Sequence, residues 1–122
     1  MMHSDSKDQV PAPAPDCHPA DHTTREGTPL SDASFVAAVK LFKALSDEQR
    51  LRTLELLARG EACVSEIAAS FDEPLSTVSH RMKLLEQVGL VRRKRRGRHV
   101  DYALADDHVV HLVRDALDHV NE

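Results

Sequence analysis

The sequence has few aromatic residues: no tryptophan, one tyrosine and three phenylalanines among 122 residues. A chain of this length is expected to form one small domain, and dimerisation would help such a domain to bury a useful core. No apolar run approaches the length of a membrane span, and the N-terminus lacks the apolar segment of a signal peptide. We therefore expect a cytoplasmic protein without a membrane partner.

Cysteine is scarce as well, since only Cys17 and Cys63 are present and they lie far apart. In a reducing cytosol such cysteines are free thiols or metal ligands rather than a disulfide. Cys17 falls within residues 1–30, which are rich in proline, aspartate, serine and threonine and predict a disordered tail before a domain over residues 31–122. The tail also contains His18 and His22, which could bind a metal or be incidental.

The net charge of −4 conceals a strongly basic segment. Residues 75–100 carry eight basic side chains and one acidic side chain, whereas residues 101–122 carry one basic and six acidic side chains. Half of the 16 lysines and arginines therefore lie within one short segment. A local basic patch in an otherwise acidic protein is typical of a phosphate-binding surface.

Helical periodicity begins after Ser31 and Asp32, and Ser46-Asp47 supplies a second helix start. The helix after Asp47 is predicted to end at Gly60. These two helices are predicted from apolar residues at three- and four-residue steps, which are Phe35, Val36, Val39, Leu41, Phe42 and Leu45, then Leu51, Leu54, Leu56 and Leu57.

A short helix over Val64–Phe71, a turn at 72–74 and a longer helix over Leu75–Val88 form a predicted helix-turn-helix. Ser76 is expected near the N-cap of the longer helix, and Gly89 is expected to end it. The outward face of this helix is rich in hydroxyls and cations, which are the side-chain types that contact bases and phosphates. We predict DNA contacts from Ser76, Thr77, Ser79, His80, Arg81 and Lys83.

Two short strands are predicted at 90–91 and 100–104, with a basic run over 92–98 between them and Gly97 in the turn. A basic hairpin directly after a helix-turn-helix is the wing of a winged-helix domain, and Arg95, Arg96 and Arg98 are its predicted phosphate contacts. The alternative is an edge hairpin whose cations only prevent aggregation. The predicted fold is mainly α with a small β-hairpin wing, a homodimeric winged helix-turn-helix.

The last seventeen residues, 106–122, form one amphipathic helix with metal-capable side chains near both ends. Asp106 and His108 lie in the first turn, and His119 and Glu122 in the last. Eleven residues separate the two histidines, roughly 16 Å along a helix, so one ion cannot reach both in one chain. If two such helices pack antiparallel, Asp106 and His108 of one helix face His119 and Glu122 of the other. This arrangement gives two sites, each with two nitrogens and two carboxylates, and such a ligand set suits zinc. The alternative is a dimerisation helix in which Asp106 serves only as the N-cap.

Several segments together resemble the ArsR/SmtB-type metalloregulators, over about residues 35–122. They are Leu45-Ser46-Asp47-Glu48-Gln49-Arg50-Leu51-Arg52, Glu61-x-Cys63-Val64-x-Glu66-Ile67-Ala68, Ser76-x-Val78-Ser79-His80, Leu84-Leu85-x-x-x-Gly89-Leu90-Val91, Gly97-Arg98-x-Val100-x-Tyr102-x-Leu104, Asp106-x-His108 and Ala116-Leu117-Asp118-His119-x-x-Glu122. The last two are similar to the zinc-sensing SmtB branch.

The resemblance implies a dimeric repressor that binds double-stranded operator DNA without metal and releases it with metal. The metal would be zinc, with cadmium, cobalt and lead as alternatives, held by the four C-terminal ligands. The family's second site would include Cys63, with Cys17, His18 or His22 from the tail and Glu66.

Two other functions are compatible with parts of the pattern. The first is a winged-helix regulator that senses a soft metal, a metalloid or thiol oxidation through Cys17 and Cys63. The second is a metallohydrolase, which is disfavoured because a four-ligand site leaves no open position for a substrate. We therefore expect no enzymatic activity and no small-molecule substrate.

Overall fold

The computed structural model describes residue 20 and residues 25–122. The predicted tail ligands Cys17, His18 and His22 lie outside the described residues, and residues 25–30 are exposed and form neither helix nor strand. The elements follow in the order α1 Asp32–Leu45, α2 Glu48–Ala58, β1 Ala62–Cys63, α3 Val64–Phe71, α4 Leu75–Gln87, β2 Val91–Arg96, β3 His99–Leu104 and α5 Asp107–Val120. The predicted fold class, mainly α with a small β wing, is confirmed.

The predicted break between the first two helices is also confirmed. Ser31 Oγ accepts the Ser34 N–H (3.3 Å) at the start of α1, and the Asp47 carboxylate accepts the Arg50 N–H (2.9 Å) at the start of α2. The Arg50 Nε then donates to the Ala44 carbonyl (2.7 Å), which satisfies one of the unpaired carbonyls at the end of α1. Capping therefore explains why two helices form here instead of one.

The hydrophobic core lies between α2, the helix-turn-helix and the sheet, and α5 packs on α2 and β3. Helix α5 contributes only one side to this core, through Val109 and Val113. The fully buried apolar side chains are Leu54, Ile67, Val78, Met82, Leu85, Leu90 and Val113.

The helix-turn-helix has the predicted bounds to within one residue, but its second helix is capped differently. The N-cap is Pro74, which has extended backbone angles and whose carbonyl accepts the Val78 N–H (3.2 Å). Ser76, expected near the N-cap, lies two positions after it, and its side chain is not the cap. Proline fits the start of a helix because its missing N–H would be unpaired there in any case.

The wing differs from its prediction in two ways. The basic residues do not connect two short strands, because β2 extends to Arg96 and β3 begins at His99, with a two-residue turn whose Gly97 has φ +58°. The hairpin is also part of a three-stranded antiparallel sheet in the order β1-β3-β2, with Ala62 opposite Tyr102. In the described part of the chain, none of the helices is both long and apolar enough to cross a membrane.

Candidate functional site

Helix α4 carries most of the predicted DNA-contacting side chains on its exposed side. Ser76, Thr77, His80 and Lys83 are exposed, and Ser79 is half-buried. The opposite side of α4 is held in the core by Val78, Met82 and Leu85. The helix therefore presents short hydroxyls, an imidazole and an ammonium group together, as a base- and phosphate-reading surface would.

Arg81 does not belong to this exposed face, and its predicted outward position is wrong. Only 8% of its side chain is exposed. Its guanidinium donates two hydrogen bonds to the Glu73 carboxylate (Nη1 to Oε1 2.8 Å, Nη2 to Oε2 2.5 Å) and a third to Thr53 Oγ1 (3.2 Å). Burying the guanidinium is feasible because these partners compensate its charge and its N–H groups.

The same contacts shift the ionisation of Glu73, which lies in the turn of the helix-turn-helix. The hydrogen bond from Arg81 lowers the pKa of the Glu73 carboxyl below its ordinary value of 4.5. Burial of the carboxyl opposes this shift, and the Coulombic attraction of Arg81 adds to it. Glu73 is therefore ionised at neutral pH, and the pair is a true ion pair.

The wing carries a row of exposed cations over 92–96 and at Arg98. Two of them have internal partners: Arg96 binds the buried carboxylate of Asp101 (2.6 Å), and Lys94 lies 3.3 Å from Glu61. The Arg95 Nε donates to the Gly97 carbonyl within the turn (3.3 Å). Among the three predicted phosphate contacts, Arg96 is thus the one whose charge is already compensated, while Arg95 and Arg98 are exposed and have no ion pair with a described carboxylate.

The four predicted metal ligands of the C-terminal helix form two separate pairs. His108 Nδ1 lies 3.6 Å from Asp106 Oδ1, and the His108 side chain is 98% exposed. His119 and Glu122 are both exposed at the other end of the helix. Asp106 is also the N-cap, because its Oδ1 accepts the Val109 N–H (3.1 Å), so the capping and ligand interpretations concern the same side chain.

The structure does not bring these two pairs together within one chain. Among the residues that the structure describes, no group of three or more histidine, cysteine, aspartate or glutamate side chains is placed to hold a metal ion. The donor set is nevertheless chemically suitable, because each pair supplies one imidazole nitrogen and one carboxylate, and two pairs complete a tetrahedral set. Whatever completes the set must come from outside the described residues of one chain.

Three of the described helices leave large apolar side chains uncovered, and α4 does so only at Leu75 (56% exposed). On α1, Phe35, Val36, Val39 and Phe42 are 51–59% exposed although they form one stripe. On α5, Val120 is 73% exposed and Ala116 is also exposed. Such stripes on one monomer are typical of a surface that another protein covers.

Of the ligands predicted for the cysteine site, the structure describes Cys63 and Glu66. Cys63 is partly exposed at the N-cap of α3, and its N–H donates to Glu66 Oε1 (3.0 Å). Glu66 is therefore a helix-capping residue as well as a candidate ligand. Cys63 also lies opposite Asp101 in the β1–β3 pairing.

Sequence reasoning missed the internal role of three polar residues: Thr53, Glu73 and Asp101. A signal for the first two was available, because Arg81 lies three residues after Val78 and four before Leu85, on the apolar side of its helix. A charged residue at such a position needs a buried partner of opposite charge. For Asp101 no such signal was available, because its partner Arg96 was assigned to phosphate binding.

Comparisons with known proteins agree with this architecture. Residues 47–93 match the family described as bacterial regulatory proteins of the arsR family. The chain is 45% identical over 83 residues to the transcriptional repressor SmtB homolog of Synechocystis, covering 68% of this chain and 63% of that protein, less than two thirds of its length. It is 34% identical to the cadmium resistance transcriptional regulatory protein CadC homolog of Staphylococcus aureus, over 84% of this chain and 85% of that one.

The fold is shared with a solved structure of known assembly. The solution structure of a homodimeric winged helix-turn-helix DNA-binding domain from Mycobacterium bovis, a possible ArsR-family regulator, matches with a TM-score of 0.71 at 31% identity. The match covers 79% of this chain and 92% of that domain. In agreement with its motifs, the chain belongs to the ArsR family of bacterial regulatory proteins.

Proposed function

We propose that this protein is a homodimeric, zinc-responsive repressor that binds double-stranded operator DNA and releases it when zinc occupies sites between the two C-terminal helices. The observation that carries the proposal is the separation of the ligand pairs on α5. Asp106 with His108 and His119 with Glu122 are exposed, complementary and too far apart to serve one ion in one chain.

A second copy of the chain would complete both sites. Antiparallel pairing of two α5 helices about a two-fold axis sets the early pair of each against the late pair of the other. The exposed stripe of α1 and the outer side of α5 provide the apolar surface that such a dimer would bury. When bound, zinc would hold the two helices in one arrangement through nitrogen and oxygen ligands.

The coupling to DNA would be geometric. A dimer reads two half-sites with its recognition helices about 34–36 Å apart, so a change at the α5 interface alters the spacing of the two α4 helices. Zinc acts as an inducer only if it binds the weakly DNA-binding arrangement more tightly than the other. Helix α5 packs on α2, and Thr53 of α2 accepts a hydrogen bond from Arg81 of α4. A change at the α5 interface would therefore reach α4 through one intervening helix.

Relatives support a metal response without fixing the metal. They include a cadmium resistance regulator and an SmtB homolog, and the metals of those regulators are properties of those proteins. The donor set is the reason for choosing zinc, because two imidazoles and two carboxylates suit zinc better than a thiophilic ion. Cobalt, cadmium and lead are the comparison ions for a titration.

The test is operator binding with and without zinc, by fluorescence anisotropy on a labelled duplex selected from a random DNA library. The wild type should dissociate when zinc is added. His119→Gln should bind the duplex with unchanged affinity and no longer dissociate at the same zinc concentration, because an amide is a poor zinc ligand. His111→Gln, an exposed histidine of the same helix outside the proposed ligand set, is the matched control and should respond as the wild type does. Dissociation of His119→Gln at the wild-type zinc concentration would refute the site.

A second candidate function rests on Cys63, which is a partly exposed free thiol beside the Glu66 carboxylate. In that case a soft metal, a metalloid or an oxidant would act there, together with Cys17 and a tail histidine. Cys63→Ser tests whether the second function operates. Under the principal proposal this variant keeps its zinc response, whereas under the second it loses the response to cadmium or peroxide.

A further inference from the structure

We propose that Arg81 is a positioning residue for DNA recognition: from inside the protein, it fixes how α4 presents its reading face, through its ion pair with Glu73 and its bond to Thr53. The inference rests on the proposed binding of operator DNA. It assigns to the one buried cation of the described recognition helix a role different from that of its exposed neighbours.

The contacts of Arg81 join three parts of the domain. Thr53 belongs to α2, Glu73 to the turn of the helix-turn-helix and Arg81 to α4. Thr53 is fully buried, and its hydroxyl also donates to the Gln49 carbonyl (2.8 Å), so it is anchored to its own helix. The guanidinium therefore fastens the recognition helix to the turn before it and to the helix behind it.

The hydrogen bonds of Arg81 are directional, unlike the apolar packing of α4. The apolar contacts of Val78, Met82 and Leu85 stabilise burial, but hydrophobic contact is non-directional and tolerates small rotations. Two parallel N–H···O bonds to one carboxylate define both the distance and the plane of the guanidinium. Arg81 thus constrains the rotation of α4 about its axis, which decides where the exposed face points.

Arg81 is also well placed along the helix to exert this control. It lies one turn after Thr77 and directly after His80, both on the exposed face. A rotation or tilt of α4 that follows loss of the pair would move these side chains against the DNA. Base-edge hydrogen bonds depend on such geometry, whereas phosphate contacts from the wing would be retained.

When the charge of Glu73 is removed, positioning of α4 by the ion pair and charge alone predict opposite changes in DNA affinity. This residue is an acid within the DNA-binding region, so removing its charge should strengthen binding to a polyanion if charge alone matters. If the pair positions α4, removing the same charge should weaken binding. Asp72, the exposed neighbouring acid, offers a matched control in which only the charge effect operates.

The experiment measures operator affinity over a salt series for wild type, Glu73→Gln, Arg81→Met, Arg81→Lys and Asp72→Asn, by anisotropy on the selected duplex. Thermal unfolding of each variant is followed so that affinities are compared where all are folded. We expect Glu73→Gln and Arg81→Met to bind about tenfold more weakly, the scale of one lost charge-assisted hydrogen bond, with an unchanged salt slope. Arg81→Lys should be intermediate, because it keeps the charge without the bidentate fork. Asp72→Asn should bind at least as tightly as wild type.

Two results would overturn the inference. One is Glu73→Gln binding as tightly as Asp72→Asn. The other is an Arg81→Met salt slope reduced by about one, which would make Arg81 a phosphate contact after local rearrangement. If Arg81→Met does not fold, Glu73→Gln and Arg81→Lys still decide the matter. Failure of the wild type itself to bind any selected duplex would instead refute the proposed function.

Discussion

Helices α4 and α5 are of nearly equal length, 13 and 14 residues, but one is complete within a single chain and the other is not. Val78, Met82 and Leu85 of α4 are fully buried, only Leu75 at its first position leaves a large apolar side chain exposed, and even its inward arginine has partners. Helix α5 buries Val109 and Val113 but leaves Val120 and both ligand pairs exposed. The proposed DNA-reading chemistry is therefore built into the subunit, whereas the proposed sensing chemistry requires a second subunit.

The contrast extends to charge. The segment over residues 75–100, with α4 and β2, has a net charge of +7, and residues 101–122, with α5, have a net charge of −5. Opposite charges on adjacent segments separate the polyanion-binding surface from a surface suited to cations. Under the proposed function, DNA and the metal ion would therefore bind on different surfaces, with α2 packed against α5.

The largest effect on operator affinity should come from disrupting the proposed dimer interface. Replacing both Phe35 and Phe42 with aspartate puts charges into the uncovered stripe of α1, so we expect monomers by light scattering. Operator affinity should then fall at least roughly 10³-fold, towards non-specific binding, because one subunit reads only one half-site. Ala69→Asp, at an exposed position of α3, should remain dimeric. A double variant that stays dimeric would place the interface elsewhere.

A smaller effect on DNA binding is expected from replacing single arginines of the wing. Arg98→Ala should reduce the slope of log affinity against log salt by about one, because one phosphate contact is lost. Arg96→Ala should reduce it less, because Asp101 already compensates that guanidinium. The two variants are compared by anisotropy over a salt series. Equal changes in slope would show that the Arg96–Asp101 pair opens on DNA.

The smallest effect concerns stability and pH. Because the pKa of Glu73 is lowered in the folded state, its ion pair stabilises the fold above the ordinary carboxyl pKa of 4.5, and this contribution is lost as pH falls through the lowered value. Wild type should exceed Glu73→Gln in free energy of unfolding, by on the order of 1 kcal/mol at neutral pH. Urea titrations should show this difference shrinking below pH 4.5, whereas a constant difference would contradict the ion-pair assignment.

Much of the fold was predictable because local chemistry determines it. Capping residues Ser31 and Asp47 located two helix starts, and apolar periodicity located α3, α4 and α5. Strand β1 could not be predicted, since two residues carry no period and their strand structure depends on pairing with β3. The extent of β2 was missed because five consecutive exposed cations, at 92–96, show no alternation.

The candidate site was predictable only in part for a related reason. The exposure of the candidate DNA-contacting residues of α4 follows from helical spacing, and Arg81 was misplaced because cations were assigned to the outside regardless of spacing. The four α5 ligand candidates lie on the helix ends where spacing puts them, but their assembly depends on a partner. Contacts between chains leave no local pattern in one sequence beyond uncovered apolar stripes.

The central claim, that each metal site is shared between two subunits, can be tested by mixing two inactive variants. His108→Ala and His119→Gln homodimers should each fail to release operator DNA with zinc, because every site in them lacks one ligand. A heterodimer of the two contains one doubly defective site and one intact site, formed by His108 of one subunit and His119 of the other. Exchange of subunits should produce about half heterodimers and restore zinc binding and partial release of the operator. Operator DNA that stays bound in the presence of zinc after confirmed subunit exchange would contradict the shared site.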